Sequence, residues 1–176
     1  MIEIRIVDEN HRQDINIPNE PFPLYGRMIP SYINERWEYD VVYFEEDSID
    51  EMCFPDENYD YDAMRDDHVF IGAYDGEKCV GLAILQDAWL KYMHLYDLKI
   101  AKDYRRQGIA RALIEKAKEV CKEKGYCGIY AEGQDNNLSA CKFYIKSGFY
   151  IGGFDSNVYK GTSQQGKSDI IFYLDC

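Results

Sequence analysis

At 176 residues, with 46% hydrophobic and 15% aromatic content including sixteen tyrosines, the chain is long enough for one full-sized core and too aromatic for a disordered or fibrous protein. Its formal charge of −12 is concentrated in residues 45–67, where eleven acids face a single base, Arg65, and carry −10 of the total. Such a surface repels phosphates, which argues against a nucleic-acid partner and favours a cationic one; a solvated loop that aids solubility fits the same charge.

No apolar run approaches the roughly 20 residues needed to span a bilayer, so no membrane partner is expected. The opening Met1-Ile2-Glu3-Ile4-Arg5 lacks the basic start and apolar stretch of a signal peptide. Cys53, Cys79, Cys121, Cys127, Cys141 and Cys176 show no C-x-x-C pairing and no histidine at ligand spacing. Several fall where a helix or strand would bury them, so reduced thiols are expected, with neither disulfides nor a metal site. The expected location is the cytoplasm.

Residues 2–7 alternate apolar and polar and predict a first strand. A proline-punctuated stretch follows (Pro18, Pro21, Pro23, Pro30), then a second period-two run over 37–44. The acidic segment is too polar to pack. Residues 68–74 and 78–86 flank Asp75-Gly76, a hairpin signal. A strand is expected over 93–100.

Beyond Gly108, apolar residues Ile109, Leu113, Ala117, Val120 and Cys121 keep helical spacing, and Gly125 supplies a stop. Residues 127–134 read as a strand, Asn137 as the cap of a helix running to Lys146, and Gly148 as its end. Residues 150–154 and 169–174 read as closing strands. The order β-β-β-α-β-α-β-β implies a mixed α/β sheet with helices on its faces.

The most telling stretch is Leu95 to Ala110, where a strand runs into a short basic turn with one glycine and a helix opens at once. Amide N–H groups of such a turn converge at the positive end of a helix dipole, an arrangement suited to a pyrophosphate. Gly108 lets the backbone approach the phosphates, and Ala110 lets the helix pack closely on the strand.

Arg105-Arg106-Gln107-Gly108-Ile109-Ala110 resembles the (Gln/Arg)-x-x-Gly-x-(Gly/Ala) signature of the GNAT superfamily of acetyl-CoA-dependent N-acetyltransferases. The run Asn137-x-x-Ala140-x-x-Phe143-Tyr144-x-x-x-Gly148-Phe149 is similar to its second signature, at the expected distance. A further resemblance, to the streptothricin acetyltransferases, runs through Asn19-Glu20-Pro21-Phe22, Gly26-Arg27-Met28-Ile29-Pro30, the Trp37 strand, the acidic segment, Gln134 to Leu138 and Ala140 to Tyr144. Those enzymes acetylate the β-lysine amine of a cationic antibiotic.

The resemblance implies a GNAT-type fold: a mixed, mostly antiparallel central sheet with a splay between two parallel strands and helices on both faces. It implies a single domain over 1–176, with 45–67 as a substrate-side insertion, and acetyl-CoA as co-substrate. Leu98 and Ile100 would line the pantetheine. The amides of Arg106, Gln107, Gly108, Ile109 and Ala110 would hold the pyrophosphate, with Arg105 or Arg106 adding charge. Asn137 would cap its helix and contact the cofactor.

Tyr144 stands at the family's general-acid position, facing the CoA sulfur. An alkyl ammonium resembles lysine, with a pKa of about 10, and must lose a proton before it attacks. Glu132, as base or anchor of a water relay, and Asp97, as an amine-orienting group, are the two acids expected near the reacting centre. Trp37, Tyr39 and Tyr43 would offer flat faces to cationic groups, with Glu45 and Glu46 as charge; core packing of a half-buried strand explains the aromatics equally well. The acceptor expected is a primary amine of streptothricin, with a polyamine, another aminated small molecule or a protein lysine as alternatives. A non-catalytic module binding CoA or a cationic ligand is the alternative outside enzymes. A homodimer is compatible with all of these.

Overall fold

The computed structural model describes all 176 residues. In chain order its elements are β1 (Ile2–Ile6), a 3-10 stretch (Glu9–Asn16), β2 (Phe22–Leu24), β3 (Gly26–Ile33), β4 (Arg36–Tyr43), β5 (Asp50–Met52), the single helical turn α1 (Tyr61–Met64), β6 (His68–Asp75), β7 (Lys78–Gln86), β8 (Tyr92–Ile100), α2 (Ile109–Glu123), β9 (Gly128–Gln134), α3 (Leu138–Lys146), β10 (Tyr150–Asp155) and β11 (Asp169–Asp175). A mixed, mostly antiparallel sheet has the order β1-β6-β7-β8-β9-β11-β10, with β8 and β9 as its parallel pair and helices flanking it. Strands β2 and β5 form one small sheet, β3 and β4 another. The chain divides into two compact units, one of residues 1–20, 53–129 and 176, the other of 21–52 and 130–175.

In the first unit, β1, β6, β7 and β8 pair antiparallel. One face of β6 and β7 packs Phe70, Leu82 and Ile84 with Val7, Ile15, Tyr59, Tyr61 and Met64. The other receives α2, whose apolar residues Ile109, Leu113, Ala117, Val120 and Cys121 are all buried, as their spacing predicts. Strand β8 carries a bulge. Ile84 pairs with Asp97 but Leu85 with Leu95, leaving Tyr96 as the extra residue. The pleat therefore changes phase at Tyr96. Leu98 and Ile100 pair with Ala83 and Gly81 on the α2 face, where a Cβ on Gly81 would meet Ile100 and Ile109 at 2.8 and 3.3 Å. Asp97 and Lys99 pair with Ile84 and Leu82 and face the other way.

In the second unit, β10 pairs antiparallel with β11, and α3 buries Leu138, Cys141 and Tyr144. The side chain of Asn137 caps α3 by accepting from the Ala140 amide at 3.3 Å. The β3–β4 hairpin is anchored where the Met28 amide donates to the Asp135 carbonyl at 2.9 Å.

One expectation needs correcting, and two details were not foreseen. The acidic segment is not one unpacked loop: it supplies β5, which pairs with β2, and α1, and it places Tyr59 against the core of the first unit. The proline-punctuated stretch contains β2 and the eight-residue β3, since each lies in a two-stranded sheet where Pro23 and Pro30 need not donate on the open side. Of the six free cysteines, Cys121 and Cys141 are buried and Cys79 partly so, whereas Cys53, Cys127 and Cys176 are exposed.

Candidate active site

The turn after β8 has the geometry of an anion cradle. Arg106 and Gly108 both take left-handed conformations, at φ 63° and 83°. For arginine this backbone is strained, a cost that persists where the surroundings or a ligand require it. Gly108 is the N-cap of α2 and offers no side chain to its amides, and no acid lies in the first turn. The first helical bond joins the Ala112 amide to the Gly108 carbonyl at 3.0 Å, so the amides of Ile109, Ala110 and Arg111 await an acceptor. A Cβ on Gly108 would meet nothing within 4 Å, so the space beside this turn is open. These residues fit a diphosphate.

The two arginines part company. Arg105 Nε donates to the Ile100 carbonyl at 3.0 Å, which braces the turn against the end of β8. Arg106 is exposed and is the charge available to a phosphate. Gln107 Nε2 donates to the Asp103 carbonyl at 3.0 Å and closes the turn from its other side.

Asp97 lies in a polar cluster that the sequence reading did not foresee. Its Oδ2 is 3.0 Å from Lys99 Nζ and accepts from the Tyr59 hydroxyl at 3.1 Å, while Lys99 Nζ also reaches Glu57 Oε2 at 2.7 Å. Burial raises the Asp97 carboxyl above its ordinary value, and the Lys99 ammonium only partly offsets this. Glu57 is held below its ordinary value: burial would push it up, but hydrogen bonds from Lys99 and Asn19 prevail. Tyr96, at the bulge, stacks edge-on with Tyr59 and His68, with ring centroids at 5.9 and 5.1 Å. A phase break was legible in the sequence, since Met93 and Leu95 keep one alternation and Leu98 and Ile100 the other.

In the second unit Tyr144 and Glu132 are brought near the same strand from opposite sides. A Cβ on Gly133 would touch the Tyr144 ring at 3.5 Å and Phe172 at 3.1 Å, so the α3 side of β9 is the side Gly133 faces. Tyr144 is 8% exposed and packs on Phe149 and Phe172, with centroids at 5.1 and 5.0 Å. Glu132 is exposed on the opposite face, shared with Tyr130, whose ring lies 6.0 Å from that of Tyr173.

Trp37, Tyr39 and Tyr43 lie on one face of the β3–β4 hairpin, together with Tyr32, whose ring is 5.1 Å from Trp37. Tyr39 and Tyr43 are 43% and 62% exposed, so packing does not account for them. A cation already rests there. Lys142 Nζ donates to the Tyr43 hydroxyl at 2.8 Å and lies 4.7 Å from its ring centroid. Glu45 and Glu46 are exposed beyond the end of β4. No group of three His, Cys, Asp or Glu side chains is arranged to hold a metal, and no helix is long and apolar enough to cross a membrane.

A model described as "Acetyltransferase (GNAT) family" matches residues 30–149. Streptothricin acetyltransferase A of Bacillus subtilis (strain 168) is 35% identical over 161 residues, 92% of each chain. The streptothricin acetyltransferase of Escherichia coli is 26% identical over 160 residues, 91% of this chain and 79% of the other. The crystal structure of a Bacillus anthracis str. Ames protein described as a streptothricin acetyltransferase, in complex with acetyl coenzyme A, superposes with a TM-score of 0.88 at 30% identity, covering 100% of both chains.

Proposed function

The chain belongs to the acetyltransferase (GNAT) family and is an acetyl-CoA-dependent N-acetyltransferase, and from that premise we propose that its acceptor is a cationic small molecule, the β-lysine amine of streptothricin. The observation that carries this reading is the reach of the likeness to streptothricin acetyltransferase A, over 92% of both chains instead of the cofactor signatures alone. The open aromatic face of the β3–β4 hairpin and the acids of 45–67 favour a cationic acceptor in the same way. The six free cysteines fit a reducing compartment, and a cytoplasmic location is part of the proposal.

In this reading the amides following Arg106 and the exposed Arg106 side chain hold the diphosphate of acetyl-CoA, with Leu98 and Ile100 beside its pantetheine and Asn137 contributing from the start of α3. The acceptor arrives as an ammonium and gives up a proton to Glu132, directly or through water. The neutral amine attacks the thioester carbonyl, so that a C–N bond forms as the C–S bond breaks; Tyr144 gives its proton to the departing thiolate, and the second proton shed by the attacking nitrogen passes through water to restore the Tyr144 hydroxyl. Carboxylates near the amine attract the ammonium but also raise its pKa, so attraction and activation oppose each other. Asp97, with Lys99 as its resident counter-charge, orients the amine and leaves the proton to Glu132.

The test is turnover with acetyl-CoA and streptothricin, spermidine or a lysine peptide, read as free thiol and acceptor mass. Streptothricin turnover far above the other two is expected. Turnover of spermidine or peptide alone replaces the acceptor, and stabilisation by CoA with no turnover removes the enzyme reading.

A further inference from the structure

The face of β9 that carries Glu132 holds a second set of polar groups outside the mechanism above. The Asp135 amide donates to the Ser168 carbonyl at 2.9 Å, and the Tyr130 and Tyr173 rings lie 6.0 Å apart. That antiparallel register sets Gln134 opposite Asp169 and Glu132 opposite Ile171, all on one side of the sheet. Tyr159, from the segment joining β10 to β11, donates to Asp169 Oδ1 at 2.8 Å and sits beside Gln134. Gln134 Nε2 donates to Gln164 Oε1 of the same segment at 2.8 Å, and Lys167 Nζ reaches that oxygen at 2.9 Å. Residues 156–168 are thereby strapped across the two strands.

One atom in this arrangement lacks what it needs. Gln134 is 7% exposed, yet its buried Oε1 has no hydrogen-bond partner. A buried amide oxygen calls for a donor. Three carboxylates stand in this part of the sheet, Glu132 on β9, Asp169 on β11 and Asp155 paired with Asp169 from β10, with Lys167 on Gln164 as the resident cation. Burial and these neighbouring acids raise the Asp169 carboxyl above its ordinary value, and the hydrogen bond from Tyr159 only partly offsets this. A primary ammonium supplies three N–H donors and one positive charge, and the cluster offers Gln134 Oε1, the Asp169 oxygen not taken by Tyr159, and the Glu132 carboxylate.

We propose that Gln134, Asp169 and Tyr159 form, with Glu132, the subsite that receives the acceptor's ammonium, under the strap of residues 156–168. The inference rests on the reading that the acceptor is a cationic amine, and it assigns three residues that neither signature contains. Tyr159 is a positioning residue, holding Asp169 so that its second oxygen meets the amine.

The experiment compares Asp169→Asn, Gln134→Leu and Tyr159→Phe with the unaltered enzyme, using streptothricin and spermidine as probes. Steady-state kinetics and calorimetric affinity for each amine are measured beside calorimetric affinity for acetyl-CoA. For Asp169→Asn and Gln134→Leu the acceptor KM and Kd are expected to rise about tenfold or more, well beyond the change in kcat, while acetyl-CoA affinity stays within about twofold; Tyr159→Phe has a smaller effect of the same kind. Unchanged amine affinity in an Asp169→Asn enzyme that still binds acetyl-CoA overturns the subsite. If that variant does not fold, Gln134→Leu decides by the same measurement. Should the unaltered enzyme take spermidine and refuse streptothricin, the acceptor named above falls while spermidine still tests the subsite. If it binds neither amine, the subsite itself is overturned.

Discussion

Tyr144 and Glu132 face opposite sides of β9: the Tyr144 ring lies against Gly133, and Glu132, one residue earlier, points away from it. A pleated strand cannot place neighbouring side chains on one surface. In the proposed mechanism this keeps the two proton problems of amide formation apart. The hydroxyl proposed as donor to the leaving sulfur is buried with Phe149 and Phe172, and the carboxylate proposed as base for the entering amine stands on the other face, beside Asp169. Neither group can neutralise the other.

Replacing Tyr144 with Phe keeps the ring that packs on Phe149 and Phe172 and removes only the hydroxyl. Loss of a positioned acid lowers turnover by about 100-fold or more, so kcat should fall by that order while acetyl-CoA affinity changes by less than about twofold. Steady-state kinetics beside calorimetry read the two separately. Full turnover in the variant would remove Tyr144 from the reaction.

Gly108→Val tests the cradle. At φ 83° a β-branched residue is strained, and its side chain would project where a Cβ now meets nothing within 4 Å. The backbone penalty is about 1–2 kcal/mol, too little to unfold the domain. The KM for acetyl-CoA should rise about tenfold or more, since the amides lose their approach to the phosphates. An unchanged KM would locate the diphosphate elsewhere.

Lys99→Met tests the anchor of the acidic segment on β8. Lys99 and Asp97 are 10% and 16% exposed at the side chain, so the substitution strands a buried carboxylate. The cost is about 3 kcal/mol, or about 6–12 °C in Tm for a chain of this size. The loss depends on pH. Glu57, whose folded value is depressed, contributes stability above its ordinary 4.5 and loses it as pH falls through the folded value. Asp97, whose value burial raises, protonates in the same direction and ceases to need Lys99. The gap in Tm between the two proteins should therefore be widest near neutral pH and shrink below about pH 4. A gap that does not change with pH would show that Lys99 acts by packing alone.

Much of the second half of the chain was legible because its signals are local. Helical spacing over 109–121, the Asn137 cap and the left-handed Gly108 and Gly148 depend on near neighbours, and each takes the form the residues predict. The first half resists such reading because its pairing is distant in sequence. Strand β5 is a three-residue run of Asp-Glu-Met whose place is set by β2, 26 or more residues earlier, and charge density conceals it. Tyr59 and Glu57 sit amid acids in the sequence, yet they close on Asp97 and Lys99 about forty residues later. Gln134 and Asp169 face each other only because β9 and β11 pair, and neither falls within the two cofactor signatures.

The single extra residue at Tyr96 decides which face every residue downstream on β8 takes. Removing it would restore strict alternation and exchange the strand's two surfaces from Asp97 onward. Leu98 and Ile100 would leave the α2 interface and turn toward Tyr59, and a carboxylate and an ammonium would be driven under the helix. The apolar seat of α2 and the ionic anchor of the acidic segment are two readings of one frame, kept in step by one tyrosine.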